Sequence, residues 1–252
     1  MIYLVVGIPC IISAVLAYLF GSINTAIIVT KIVTKGGNIK EMGSKNAGFT
    51  NVLRCVGKVP AIITIVCDFL KAVVAVYVSV LIFNFGTRVA SLALLGSSMD
   101  IWLNTNYTTL VSDASEVCKY IAGFFCVIGH MFPIYFKFKG GKGVVAAIGM
   151  ILVLDWRVFL IVLGSFLIVF LFTRIISISS LFGSLIYGPA TFVITYFCVY
   201  NPSLATASPH SFGYVLVVSG IALLTGLVII IKHHGNIGRL LRGEEKKITA
   251  KK

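Results

Sequence analysis

Two stretches of this chain, residues 181–200 and 212–231, run for twenty residues each without a charged side chain. A helix of about 20 apolar residues is what crosses the roughly 30 Å hydrocarbon core of a bilayer, where the backbone must satisfy its own hydrogen bonds. Three further runs read the same way. They are residues 3–29, residues 59–83 with Asp68 and Lys71 inside, and residues 120–136 with His130 near the end. The stretch 143–173 is interrupted by Asp155, Trp156 and Arg157, which suit a bilayer centre poorly. It reads as a short helix over 143–154 that turns into a second over 158–173. The expected fold is an all-α polytopic membrane protein, a single domain over 1–252 with about seven transmembrane helices. A re-entrant 143–154 would leave six. Composition agrees, since 12% of residues are charged and 58% hydrophobic, against about 25% charged in a soluble domain. Too little polar surface is left for a soluble enzyme, a disordered chain or a free nucleic-acid binder. The first run lacks a basic leader and a small-residue cleavage site, so it reads as a span and not as a signal peptide. The six cysteines are scattered with no CxxC pair, so neither a disulfide framework nor a metal site is expected.

The formal net charge of +13 is informative through its distribution. With the N-terminus outside, the inner segments are roughly 31–58, 137–142, 174–180 and 232–252. They hold 17 of the 21 Lys and Arg residues, while Asp100, Asp113, Glu116 and Asp155 all fall outside. Basic residues concentrate on the cytosolic side of membrane proteins, so the C-terminus is expected in the cytosol. Residues 84–118 form the longest outer connection and read as an interfacial segment plus a polar loop. No internal repeat is visible, which counts against the repeat-built transporter folds.

The polar, glycine-rich segments all fall on the inner side. In residues 43–54, small residues alternate with hydroxyl, amide and guanidinium groups: Gly43, Ser44, Asn46, Thr50, Asn51 and Arg54. Glycines admit a ligand close to the backbone, and Arg54 can grip a phosphate with two parallel hydrogen bonds. The same residues also suit an ordinary basic loop. Residues 130–143 run from His130 to Gly140, Gly141, Lys142 and Gly143 at the start of the short helix. Free N–H groups, the helix dipole and an ammonium would together form an anion cradle there. The alternative is a boundary turn with snorkelling lysines. Residues 233–245 place His233, Asn236, Arg239 and Glu245 just beyond the last span. His233 suits proton transfer or donation to phosphate, and the basic residues equally suit lipid headgroups. Ser177 and Ser180 lie in a weaker patch at a helix–helix turn, and Asp68 and Lys71, three residues apart, read as a neutralised pair facing the bundle interior. Basic donors from separate inner segments suit a phosphate, and surrounding apolar helices suit an acyl chain.

At these residues the chain resembles the membrane glycerol-3-phosphate acyltransferases that use acyl phosphate as donor, the bacterial PlsY family. That family's pattern is GSGNxGxTNxLR, GHxFPxxxxFKGGKG and HxxNIxRLxxGxE. Residues 43–54, 129–143 and 233–245 match it in the same order. The resemblance implies a seven-helix enzyme of the cell membrane with its active site on the cytosolic face, needing neither metal nor another cofactor. Its substrates would be acyl phosphate and glycerol 3-phosphate, acylated at the 1-hydroxyl to give lysophosphatidic acid and phosphate. An acyl-phosphate-producing enzyme would act upstream, and a monomer is expected. By motif position, Ser44 and Arg54 would serve the glycerol-phosphate site, and Gly140, Gly141, Lys142 and Gly143 the acyl phosphate. His233 and Asn236 would be required for activity, and Glu245 would close the third motif. Gly43, Asn46, Thr50, Asn51, His130 and Arg239 join the substrate-binding set, with Ser177 and Ser180 more loosely assigned.

Departures from the pattern are Lys45 in place of Gly and Ala47 where Pro is common. The first adds positive charge, and the second leaves the loop less rigid. The segments 84–118 and 201–211 look long for the family. The HxxxxD signature of other acyltransferases is absent: position 135 is Tyr after His130, and no Asp follows His233. GxSxG is also absent, against an acyl-serine intermediate. Two rival readings are an organic-phosphate transporter and a scaffold. The first would need polar residues that the charge-free spans do not supply. The second would have no use for three such motifs on one face.

Overall fold

A computed structural model describes residues 2–95 and 105–247, and these residues are mainly helical with no strand among them. The principal helices are α1 (Ile2–Ser22), α2 (Thr25–Val33), α3 (Phe49–Cys55), α4 (Lys58–Leu95), α5 (Thr105–Met131), α6 (Val144–Leu154), α7 (Trp156–Thr173), α8 (Ile176–Thr195), α9 (Phe212–Lys232) and α10 (His234–Leu241). Six elements among the described residues are long and apolar enough to cross a membrane. The short α6 has 11 residues, about 17 Å at 1.5 Å per residue, or roughly half the hydrocarbon core.

Three expectations are corrected. The first run is a candidate span as expected, over Leu4–Val33, but not one continuous helix, because the chain breaks at Ile23 and Asn24 before continuing to Val33. Asn24 takes an extended backbone and its side chain caps α2 by accepting from the Ile27 N–H at 3.1 Å. Much of the segment 84–118, expected as an outer connection, is helix, since α4 continues to Leu95 and α5 begins at Thr105. Polar Asn, Thr and Ser residues on α5 read as loop by composition, yet they form its first turns by extending a helix anchored further along. The remainder of that expected loop, residues 96–104, lies outside the described residues. Finally, the run 120–136 stops as α-helix at Met131, and 132–143 is a loop with one short 3-10 turn. The turn at Asp155 is as expected. Its carboxylate caps α7, accepting from the Arg157 N–H at 2.8 Å and pairing with the Arg157 guanidinium.

Helices in lipid gain little from apolar burial between themselves, so close backbone packing through small residues carries the association. The core is accordingly rich in alanine, with Ala17, Ala72, Ala75, Ala122, Ala146 and Ala222 buried beside Val127 and Met150. Glycines mark the tightest crossings. A Cβ on Gly21 would fall 2.1 Å from the Cys126 carbonyl oxygen, and one on Gly129 would fall 2.2 Å from that of Tyr18. The short helix meets α4 the same way, through Gly149 against the Phe69 carbonyl. On α4, Gly86 makes room for the ring of Pro9 in α1. Large apolar side chains such as Leu81, Phe85, Leu171 and Phe172 point outward, as a lipid-facing surface requires.

Candidate active site

The three motif segments come together at one end of the bundle. They enclose, with α7 and α8, a cavity of about 600 Å³, within the 300–1,000 Å³ range of small-molecule sites. Of the expected residues, Ser44, Asn46, Thr50, Asn51, Arg54, His130, Lys142, Gly143, Ser177, Ser180, His233, Asn236, Arg239 and Glu245 line it. Apolar side chains line it as well: Val145, Ile148, Phe166 and Phe170.

The first segment is held by Asn51. Its side chain accepts from the Ser44 N–H at 2.9 Å and donates to the carbonyls of Met42 and Ile39 at 3.0 and 3.2 Å. Asn51 is thus the peg around which residues 39–51 fold. It leaves Ser44 and Arg54 facing the cavity. Gly43 lies behind that wall, at φ +52, where a Cβ would meet the Asn51 side chain. Lys45 also adopts a left-handed backbone, φ +59, which costs a non-glycine residue about 1 kcal/mol or more.

Gly140 and Gly141 do not line the cavity, and their N–H groups are not free for an anion. They donate to the terminal carbonyls of α5, Gly140 to Met131 at 3.2 Å and Gly141 to His130 at 3.1 Å. Both glycines are needed because the turn lies flat on that helix end. A Cβ would fall 2.0 Å from the His130 carbonyl at Gly140, and 2.2 Å from the His130 ring at Gly141. The pair therefore positions Lys142, and the cavity receives its side chain with Gly143 and the start of α6.

The third segment closes the site through Glu245. One carboxylate oxygen accepts from Ser177 Oγ and from Asn236 Nδ2, each at 2.6 Å. The other accepts from Arg239 Nε at 2.6 Å. Asn236 in turn accepts from the Lys142 ammonium. Burial alone would raise the Glu245 carboxyl pKa, but the hydrogen bonds from Ser177, Arg239 and Asn236 outweigh it and hold the group below its ordinary value. Lys142 is lowered to about 8, first by burial and then by Arg239 and Arg54, with Glu245 opposing. His233 is lowered to about 4 by burial and by Lys142. Its Nδ1 lies 2.8 Å from the Ile229 carbonyl. A carbonyl only accepts, so Nδ1 carries the proton and the neutral ring keeps a lone pair on Nε2.

Glu245→Ala removes the acceptor shared by three donors from two elements. The expected result is a loss of about 2–3 kcal/mol in stability, since hydrogen bonds to a charged group contribute ~1.5–3 kcal/mol each and are not additive. Thermal unfolding in detergent checks it, with earlier proteolysis of the C-terminal segment as the accompanying sign. Glu245→Gln, which keeps the shape, falls between.

Among the cavity residues outside the expected set are Lys45, Ile65, Asp68 and Lys232. Lys45 is visible in the sequence as a departure from the family pattern, and Asp68 as half of an ion pair. That pair is present, with Lys71 Nζ 2.8 Å from Asp68 Oδ1. The signal that points to Asp68 is a carboxylate inside an apolar run. Spacing does not show that His130 joins the pair from another helix. Ile65 and Lys232 carry no sequence signal that separates them from other span and span-end residues.

Comparison with known proteins gives one answer over most of the chain. The family model described as glycerol-3-phosphate acyltransferase matches residues 11–243. A glycerol-3-phosphate acyltransferase of Francisella tularensis subsp. mediasiatica is 33% identical over 237 residues, 94% of this chain and 92% of that one. One of Bartonella henselae is 34% identical over 233 residues, 92% of this chain and 89% of that one. The crystal structure of PlsY (YgiH), an integral membrane glycerol 3-phosphate acyltransferase, in its glycerol 3-phosphate form superposes with a TM-score of 0.66. It is 27% identical, over 95% of this chain and 96% of that one. The lysophosphatidic acid form gives 0.64 at the same identity, over 95% of each chain.

Proposed function

This chain belongs to the glycerol-3-phosphate acyltransferase family, and from that premise we propose that it moves a fatty acyl group from acyl phosphate to the 1-hydroxyl of sn-glycerol 3-phosphate. The products are lysophosphatidic acid and inorganic phosphate, and the step is the first acylation of phospholipid synthesis. The observation that carries the reading is that one cavity is lined both by groups suited to phosphate and by apolar side chains. Arg54, Lys142 and Arg239 supply cationic donors, and Val145, Ile148, Phe166 and Phe170 supply acyl-compatible surface. The glycerol 3-phosphate and lysophosphatidic acid forms of the solved relative are consistent with both kinds of lining. The excess of basic residues in the segments that build the cavity supports a cytosolic-facing site in the plasma membrane. An acyl-phosphate-forming enzyme would supply the donor.

In the proposed reaction the glycerol hydroxyl oxygen attacks the acyl carbonyl carbon, and the bond from that carbon to the phosphate oxygen breaks. The phosphate departs with the bonding electron pair. Acyl phosphate is an activated mixed anhydride, so the protein's work is proximity and neutralisation of two anions that repel one another. Arg54 and Lys142 neutralise them. A histidine whose conjugate acid titrates near pH 4 is a weaker base than a phosphate monoester, with a second pKa of about 6. The hydroxyl therefore donates its hydrogen bond, and then its proton, to a phosphate oxygen, and His233 lines the site as a neutral ring and not as the base. His233→Gln, which keeps an acceptor, is expected to retain measurable turnover with an unchanged pH profile. Loss of all turnover would assign His233 as the base.

The test of the reaction is phosphate release by the purified protein with acyl phosphate and glycerol 3-phosphate together and with each alone. Release that requires both supports acyl transfer. No release from folded protein overturns it.

A further inference from the structure

Asp68, Lys71 and His130 form a buried polar cluster, of which only His130 belongs to the three motifs. Asp68 is 2% exposed and His130 4%. The helices that carry them are long. The 38 residues of α4 extend about 57 Å at 1.5 Å per residue, nearly twice the roughly 30 Å hydrocarbon core. Asp68, the eleventh residue of α4, and His130, next to the last residue of α5, sit toward the site end of the bundle.

The Lys71 ammonium donates to the Ile23 carbonyl at the α1–α2 break at 2.9 Å and meets His130 Nδ1 at 2.9 Å, and it is ion-paired with Asp68 Oδ1 at 2.8 Å. The His130 Nδ1 to Asp68 Oδ1 distance is 3.5 Å, so the lysine is the ring's nearer partner. An ammonium has donors only, and the nitrogen facing it must accept. The His130 proton then resides on Nε2. That nitrogen lies against Gly141, where a Cβ would fall 2.2 Å from it and 2.6 Å from the Ala47 carbonyl oxygen. His130 and Asp68 both line the cavity, and Lys142 is the next residue after Gly141.

We propose that Lys71, anchored by Asp68 and the Ile23 carbonyl, is a positioning residue that locks His130 as its Nε2–H tautomer, so that the cavity wall beside Lys142 carries a fixed neutral donor for a substrate oxygen. What the donor acts on rests on the acyl-transfer reading; the tautomer does not. The two cavity histidines then present opposite faces. His233 keeps its proton on Nδ1 against Ile229 and offers an acceptor, while His130 offers a donor. A neutral donor adds direction to the site without further charge, because the lysine that fixes it is already balanced by Asp68.

The experiment is nitrogen-15 NMR of histidine-labelled full-length protein in nanodiscs, with steady-state kinetics on the same samples. Wild-type His130 is expected as the Nε2–H form and His233 as the Nδ1–H form. Asp68→Asn combined with Lys71→Met removes both charges while keeping the shapes. It is expected to mix the His130 tautomers and to lower kcat about 10- to 100-fold, the range known for partners that orient metal-bound histidines, taken here as the guide. Lys71→Arg retains a donor and restores the tautomer with most of the kcat. A wild-type His130 protonated on Nδ1 overturns the proposal without any variant. So does a folded double variant with unchanged kcat, which would leave the cluster a structural tie between helices. If wild-type protein shows the expected tautomers yet no acyl transfer, the acyl-transfer reading falls and the tautomer assignment stands.

Discussion

Replacing Lys142 with alanine lowers kcat/KM for glycerol 3-phosphate by about 100- to 1,000-fold, the range seen when a preorganised group that stabilises developing charge is removed. The effect is large because the ammonium is half-buried, with Asn236 as its hydrogen-bond acceptor and Arg54 and Arg239 nearby. Burial and those two cations bring its pKa down to about 8. A cation with a lowered pKa loses its charge earlier as pH rises, so the wild-type rate falls through about pH 8 and not above 10. The substrate phosphate completes its second ionisation near pH 6, which places that event on the other side of the optimum. Lys142→Arg keeps a cation at every accessible pH and moves the basic limb upward. The acid side carries the complementary sign. His233 titrates near 4, so it stays neutral through the physiological range and protonates only below it. A Lys142→Ala enzyme within tenfold of wild type, or a basic limb that Lys142→Arg leaves at about pH 8, would remove Lys142 from the chemistry.

Gly129→Val is expected to abolish folding or leave a protein without activity. The Cβ would fall 2.2 Å from the Tyr18 carbonyl oxygen, against backbone that cannot rotate away. Overpacking of a core with adaptable side chains costs about 1–3 kcal/mol, and this contact offers no such adaptation. Separation of α1 from α5 would also displace Gly21 from Cys126, the reciprocal contact at the same crossing. His130 follows Gly129 in sequence, and the Ile23 carbonyl that anchors Lys71 lies two residues beyond Gly21. The damage therefore reaches the cavity floor. Gly164→Val is the control, because a Cβ on Gly164 meets nothing within 4 Å. Size exclusion and thermal unfolding in detergent read both variants. A Gly129→Val protein as stable as Gly164→Val would contradict the packing argument.

Most of the membrane architecture is legible in the sequence because lipid imposes a length and a polarity on each helix. Residues 181–200 and 212–231 read as spans for that reason, as does the turn at Asp155. Polar ends of spans are not legible in the same way. The first turns of α5, rich in Asn, Thr and Ser, are helical by continuity with apolar turns further along. The cavity residues are legible as side-chain chemistry, since Arg54, Lys142, His233 and Glu245 carry groups with evident uses. Gly140 and Gly141 differ from their sequence reading in one respect. Glycines beside a helix start read as open backbone donors, whereas their N–H groups cap α5, a matter of tertiary placement that spacing does not encode. His130 meeting Lys71 is of the same kind, a contact between residues 59 positions apart.

The apolar lining of the cavity has a consequence for how the enzyme's kinetics are counted. On the proposed reaction, an acyl donor seated along Val145, Ile148, Phe166 and Phe170 would be drawn from the bilayer. Its availability is then a mole fraction per unit area of membrane, while that of glycerol 3-phosphate is a molarity in water. Diluting the donor with inert lipid at fixed total volume should slow the reaction, and diluting the whole suspension with buffer should not, provided glycerol 3-phosphate is held constant. With such a donor the protein would link a two-dimensional reservoir to a three-dimensional one, and a single apparent KM for the donor would have meaning only at a stated lipid composition.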